Sequence, residues 1–279
     1  MGIRPFRAED AAALAAMSAG CARGESDFVL NPYWETEEEL VADAGDGEVL
    51  GLVGFLRLPE ASTAGMFCPI VKRGDRGRGL GGELLRAAQS LGREKLGIEL
   101  VSAPIGTRNR AGYSLLTSHG FRPVRQHFLM RCNAQPTVPS PPIADVVLEA
   151  ATAEDADAIL AVYATCGFEA RSDDTMRSVL SDGRHQHAVA RHDGHVVAFA
   201  EIETHWPQRV WVAYIGVAAE LRDRGLGSTL VAWALARLFE AGARSALLML
   251  SPANRTALRA YEKVGFRRHR LVDVLEKRL

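Results

Sequence analysis

The stretch RDRGLGSTL, residues 222–230, heads an apolar run with helical spacing, and a near copy, RGRGLGGEL, stands at residues 76–84. A chain that carries one arginine- and glycine-rich nonamer twice is read first for a repeat. GDGEVLGLVGF (45–55) aligns with HDGHVVAFAEI (192–202) at a spacing of 147 residues. RGRGLG aligns with RDRGLG at 146, and NRAGYSLLTSHGF (109–121) with NRTALRAYEKVGF (254–266) at 145. IRPFRAEDAAALAAM has a partner in LEAATAEDADAILAV. Spacings that drift by one residue per landmark are what small loop changes leave in a duplicated domain. Between the copies, the four prolines of NAQPTVPSPPIAD (133–145) cannot join a ladder or a helix interior. This predicts a domain over 1–134, a linker over 135–144 and a second domain over 145–279.

The composition agrees with two cored domains. The chain has 279 residues, 47% of them apolar, and a net charge of −1. Such a balance offers no strong field for nucleic acid or a membrane surface, and no run of about 20 apolar residues is present. The N-terminus has Arg-Pro and an acidic pair where a signal peptide needs its apolar core. Cys21, Cys68, Cys132 and Cys166 form no CxxC pair, so they read as free thiols of a cytoplasmic protein, and no metal is expected.

The second half reads as β α α β β β α β α β β. Acidic residues open the helix AEDADAILAVYATC, and Ser172 is placed to cap the next one. Asp193-Gly194 marks a hairpin. RVWVAYIGV is a strand, GLGSTLVAWALARLFEAG a helix, and SALLML a short apolar strand. Asn254 and Gly265 bound a helix over NRTALRAYEKVG, and FRRHRLVDVLEKR closes as a strand pair. Hairpins followed by a β-α-β crossover predict a mixed sheet.

The nonamer therefore joins a strand to a helix start, where backbone N–H groups lack helical partners and the helix dipole is positive. Glycines let such a loop wrap closely around a phosphate. Read without a ligand, the same loop is a tight turn with solvated arginines. GxxxxGK[ST] is absent. Gly77, Gly79 and Gly82 do satisfy GxGxxG, but Asp223 and Ser228 replace Gly77 and Gly82 in the second copy, which argues against a dinucleotide site.

Both copies keep R-x-R-G-L-G; R-x-x-G-x-G after a strand ending in valine, then a helix, an apolar strand and N-x-x-A-x-x-x-Y-x-x-x-G-F, resembles the GNAT superfamily of N-acetyltransferases over essentially all of both halves. Asn254, Ala257, Tyr261, Gly265 and Phe266 fit the second motif in full. The resemblance implies an α/β fold, twice: two tandem GNAT domains, each a mixed, mostly antiparallel sheet flanked by helices. It implies acetyl-CoA as co-substrate, its pyrophosphate held by Arg222, Asp223, Arg224, Gly225, Leu226, Gly227 and Ser228, with Val217 and Asn254 along the pantetheine arm. In the first half Arg76, Gly77, Arg78, Gly79, Leu80, Gly81 and Gly82 form the matching coenzyme A loop. It further implies direct attack of an amine on the thioester, a backbone N–H seven residues before the motif arginine for the oxyanion, and a tyrosine to protonate the departing thiolate.

Here the halves differ. The oxyanion residue is Ile215 in the second half but Pro69, which has no N–H, in the first. The acid is Tyr261 in the second half and Leu116 in the first, with Tyr113 one turn away. The C-terminal half is therefore expected to catalyse and the N-terminal half to be non-catalytic. Alternation puts Glu201, Glu203 and His205 on one strand face, where the first half has no titratable group; Glu203 is the general-base candidate. His185 and His187 share a face of a neighbouring strand. Asp173, Asp174 and Glu169 would attract a cationic amine or simply sit as solvated acids at a helix start. The expected activity is transfer of acetyl to a primary amine of a small molecule, by a monomer whose halves pair as an internal pseudo-dimer. A coenzyme A-binding sensor or scaffold without chemistry, and an acyltransferase using another acyl-CoA, are the alternatives.

Overall fold

In a computed structural model, which describes residues 2–19, 38–45, 47–56, 62–168, 170–206 and 208–279, the chain separates into two compact units. One is Met1–His127 with Leu271–Leu279, the other Phe128–Arg270.

In the first unit β1 (Gly2–Pro5) precedes α1 (Ala11–Ala19), and β2 (Glu39–Asp43), β3 (Val49–Leu56) and β4 (Thr63–Val71) complete an antiparallel run in the order β1-β2-β3-β4. From β4 the chain crosses through α2 (Leu80–Glu94) to β5 (Leu100–Gly106), then continues through α3 (Arg110–Ser118) into β6 (Arg122–Cys132). On α2, Leu80, Leu84, Leu85 and Ala88 recur at helical spacing and bury their stripe against Val53, Phe55 and Val101. β5 runs parallel to β4 over Thr63–Gly65 alone; on its other side Val272–Arg278 pairs antiparallel with all seven of its residues.

The second unit repeats this plan with β7 (Val146–Ala150), α4 (Ala156–Thr165), α5 (Asp173–Ser181), β8 (His185–His192), β9 (His195–Trp206), β10 (Arg209–Val217), α6 (Leu226–Glu240), β11 (Ser245–Leu250), α7 (Arg255–Val264) and β12 (Arg267–Arg278). The β8–β9 turn has Asp193 and Gly194 at φ 50° and 77°, the left-handed pair that fits a two-residue hairpin. Alternation along β9 sends Ala198, Ala200 and Ile202 to the core under α6, and Phe199 to the core under α4 and α5. Both sheets are thus mixed, mostly antiparallel and flanked by helices.

Two features depart from the sequence reading. Residues 267–278 form one strand rather than a strand pair; the segment has no glycine, proline or asparagine on which to turn. The units also exchange final strands relative to the repeat: Phe128–Cys132 of β6 pairs with β11 in the second unit, and Val272–Arg278 of β12 with β5 in the first. Residues 133–141 hold no helix or strand.

A buried aspartate keeps both copies of the first helix in place. Asp10 and Asp155 each close a capping box at the helix start. Each also meets an arginine, but the arginine changes strand between the copies. Arg4 on β1 binds Asp10 and Asp43 of β2, whereas Arg191 on β8 binds Asp155 and Glu149 of β7. The charges have traded places while the pair has survived. Hydrogen bonds from Arg4 hold Asp10 below the usual carboxylate range.

Candidate active site

Each nonamer forms the same turn. Gly77 and Asp223 lie at φ 79° and 61°, and Gly79 and Gly225 at 88° both, so the second and fourth positions of the motif are left-handed. An aspartate tolerates that region better than most residues, which explains why Asp223 can replace Gly77. Gly79 and Gly225 are the residues before α2 and α6. The amides of Leu226, Gly227 and Ser228 lie in the first turn of α6, where no preceding carbonyl can take them.

The side chains divide their labour. Leu80 and Leu226 point into their cores, so only their backbone faces the loop. Arg222 Nε donates to Val217 O at 3.0 Å, and its Nη2 to Thr165 O at 2.7 Å. Arg76 Nε donates to Val71 O at 2.9 Å in the same way. The first motif arginine therefore ties the loop to the end of the preceding strand. Arg78 is exposed and bridges to Asp75 at 3.3 Å, Arg224 is exposed, and Ser228 Oγ donates to Gly225 O at 2.8 Å. In the first unit the loop floors a cleft of about 410 Å³ lined by Cys68–Val71, Arg76, Gly77, Gly79–Gly82, Asn109 and one face of α3. Asn109 and Asn254 spend their Oδ1 on capping, accepting from Gly112 and Ala257 at 2.9 and 3.0 Å.

The strand before the loop carries a free edge. β10 pairs with β11 only over Arg209–Trp211, and beyond that the two strands part. The Ala218 N–H donates to Val197 O of β9 at 2.8 Å. Successive N–H groups of a strand point to opposite edges, so those of Ile215 and Val217 face away from β9. Each copy has a bulge here, between Val212 and Tyr214 on β10 and within Phe67–Ile70 on β4. A bulge is where a sheet accepts proline, and Pro69 sits in it without an N–H to offer. Tyr261 is half-buried on α7, packs edge-on to Phe266 at 5.7 Å, and is pushed up to about 12 by burial. It stays protonated through the neutral range. Leu116 is fully buried, with Tyr113 packed beside it.

On the other face of β9 the structure assembles a cluster that sequence reasoning missed. Arg171, from the loop before α5, donates to Glu201 through Nη1 at 2.7 Å, and both side chains are 2% exposed. Its guanidinium stands 5.0 Å from the Tyr163 ring and 4.7 Å from the Tyr214 ring. The rings of His185 and His187 approach the same carboxylate at 3.5 and 3.4 Å. Burial alone would push Glu201 up; the two histidines and the Arg171 charge outweigh it and hold it well below the carboxylate range. Removing one partner of such a pair costs about 3–5 kcal/mol. Glu203 lies two residues on, across from His185 and Trp211. The residue is half-buried, burial pushes its carboxyl up to about 7, and among the described residues it takes no hydrogen bond. The sequence signals for this cluster were the alternation of β9 and the shared strand face of His185 and His187. Nothing marked Arg171, which is 30 residues from its partner.

Asp173 pairs with Arg177 at 2.9 Å and Asp174 is exposed, both in the first turn of α5. Glu169 and the side chain of His205 lie outside the described residues, as does Cys21. Cys68, Cys132 and Cys166 are free thiols. Among the described residues no three metal-ligating groups converge, and no helix is long and apolar enough to cross a membrane.

Comparison with known proteins fits this construction. The chain is 35% identical over 71 residues to a mycothiol acetyltransferase of Corynebacterium glutamicum, a match spanning 25% of this chain and 24% of that protein. The fold is similar to a GCN5-related N-acetyltransferase from Sphaerobacter thermophilus (TM-score 0.76, 20% identity, 99% of this chain and 95% of that one). It is also similar to a tandem GNAT protein from the clavulanic acid biosynthesis pathway (TM-score 0.72, 18% identity, 99% and 98%). The profile of the acetyltransferase (GNAT) family matches twice, over residues 12–121 and 148–266. With one match in each copy of the repeat, the chain belongs to the acetyltransferase (GNAT) family, in tandem form.

Proposed function

We propose that the second half of the chain, about residues 145–279, transfers the acetyl group of acetyl-CoA to a primary amine of a small molecule, and that the first half, about residues 1–134, binds coenzyme A without turning it over. The observation that carries this is the edge of β10: an N–H at Ile215 facing away from β9, next to the anion-seeking turn, against a proline at the matching place. The amides from Arg224 to Ser228 would take the pyrophosphate, and Val217 would run beside the pantetheine arm. Donor and amine meet at the gap between β10 and β11. Glu203 would take the amine's proton as the nitrogen attacks, the Ile215 N–H would stabilise the oxyanion, and Tyr261 would give its proton to the leaving thiolate.

Thiol release from acetyl-CoA over a panel of primary amines tests the reading. The name of the Corynebacterium glutamicum relatives puts mycothiol-type amines on that panel. Turnover that survives Ile215→Pro would overturn the assignment. A chain that binds acetyl-CoA by calorimetry with a stoichiometry of two, yet acetylates no amine, would instead favour a sensor. The intact cleft of the first unit favours binding there, and succinyl-CoA in a parallel arm tests donor choice.

A further inference from the structure

The mechanism above uses Glu203 but gives no task to the buried group next to it. Arg171 is the only charged side chain of its loop that the described residues show buried, and it crosses two aromatic rings to reach Glu201. A loop that needed only to be covered would use an apolar residue; a buried ion pair costs more desolvation than it returns unless it is well satisfied. This one is imperfectly satisfied, since Arg171 Nε is buried without a partner. The geometry therefore points to a role other than stability.

We propose that Arg171 is a positioning residue for acetyl transfer: by clamping Glu201 beneath Tyr163 and Tyr214 it fixes the loop before α5 over β9 and sets how readily Glu203 accepts the amine's proton. This rests on the base role given to Glu203. Among the described residues, the charged and titratable groups that act on Glu203 are His185 from β8, Glu201 from its own strand and Arg171 from the loop. From β10 the residue opposite is Trp211, which carries no charge. Burial raises Glu203, Glu201 raises it further, and His185 and Arg171 pull it down. Glu201, held as a permanent anion by Arg171 and the histidines, thus acts as a fixed like charge beside Glu203. The first copy differs at these places: Gly54 stands for Glu201 and Leu56 for Glu203, and its buried carboxylate is Glu39 of the neighbouring strand β2, across from Gly54.

The test is the pH dependence of kcat in Glu201→Gln and in the double variant Arg171→Met with Glu201→Gln, both first checked for a cooperative melt. Glu201→Gln leaves Arg171 charged and removes the anion, so the acid limb moves down by about one pH unit. The double variant removes both charges, so its limb returns toward the wild-type position, while KM for the amine rises several-fold and KM for acetyl-CoA holds. Limbs that coincide in all three proteins, or an unchanged amine KM in the double variant, overturn the proposal. If Glu201→Gln does not fold, the double variant, which buries no unpaired charge, carries the test through its amine KM and through Glu203 titration by carboxyl NMR, with Glu203→Gln as the assignment control. A limb present in wild type and unaltered in Glu203→Gln would instead refute the base role itself.

Discussion

Replacing Gly216 by alanine tests whether the two copies fill the same layer by different means. A Cβ at Gly216 would stand 2.3 Å from Phe199 Cε1 and 3.0 Å from Cys166 Sγ. Ordinary contact begins near 3.4 Å, so the ring must retreat by about 1.1 Å. Phe199 is 0% exposed and stacks on Tyr163 with centroids 5.8 Å apart, so it has nowhere to go. Overpacking of this kind costs about 1–3 kcal/mol. Urea slopes for such domains are about 1–3 kcal/mol per molar, so the midpoint of the second unit falls by on the order of 1 M. The first copy solves the layer differently. There the matching cross-strand pair is Ile70 and Leu52 instead of Gly216 and Phe199. Adding Phe199→Leu to Gly216→Ala is therefore expected to recover about 1 kcal/mol or more relative to the sum of the single changes. Urea melts followed by a fluorescence probe confined to the second unit read this directly. A wild-type midpoint for Gly216→Ala, or strict additivity in the double variant, would refute the reasoning.

Tyr261→Phe removes one hydroxyl and no packing, so the melting temperature holds while kcat drops about 10²–10⁴-fold, as expected for loss of a positioned acid. Because Tyr261 is pushed up to about 12, wild-type kcat should show no alkaline fall below about pH 10. Glu203 must be ionised to act, so kcat rises with pH through about 7, and Glu203→Gln abolishes that limb. The stability sign is opposite: a carboxyl raised from 4.5 to about 7 favours folding below 4.5, and that contribution is lost as pH rises through about 7, which a thermal scan of wild type against Glu203→Gln would show. Gly225→Ala forces a side chain to φ 88° and should cost about 1–2 kcal/mol and weaken acetyl-CoA binding by calorimetry, whereas Gly183→Ala, with open space around it and no positive φ, should do neither.

Much of the fold could be read from local chemistry. The asparagine caps, the Asp193-Gly194 turn and the left-handed glycines declare themselves because each serves its own neighbours in sequence. What stayed hidden depends on distant partners. Arg222 invites reading as a phosphate ligand, and its turn back to Val217 and Thr165 follows from a helix end 57 residues away. Arg171 has no periodicity or motif to mark it, since its meaning comes from Glu201 and two aromatic rings. The alternation of β9 put Glu201 and Glu203 on one face but not in different states; only the depth and charge around each carboxyl separates a locked anion from a titrating group.

The traded final strands bear on synthesis at the ribosome. β5 has three bonded neighbours in β4 and seven more in residues 272–278, made long after it. The leading sheet must wait, with one border raw, until residues 272–278 have been made, whereas the trailing sheet has all its members once residue 270 emerges. A gene cut in the proline-rich connector would thus yield two unequal products: a front piece prone to pairing with itself, and a back piece that needs Phe128–Cys132 restored to its start.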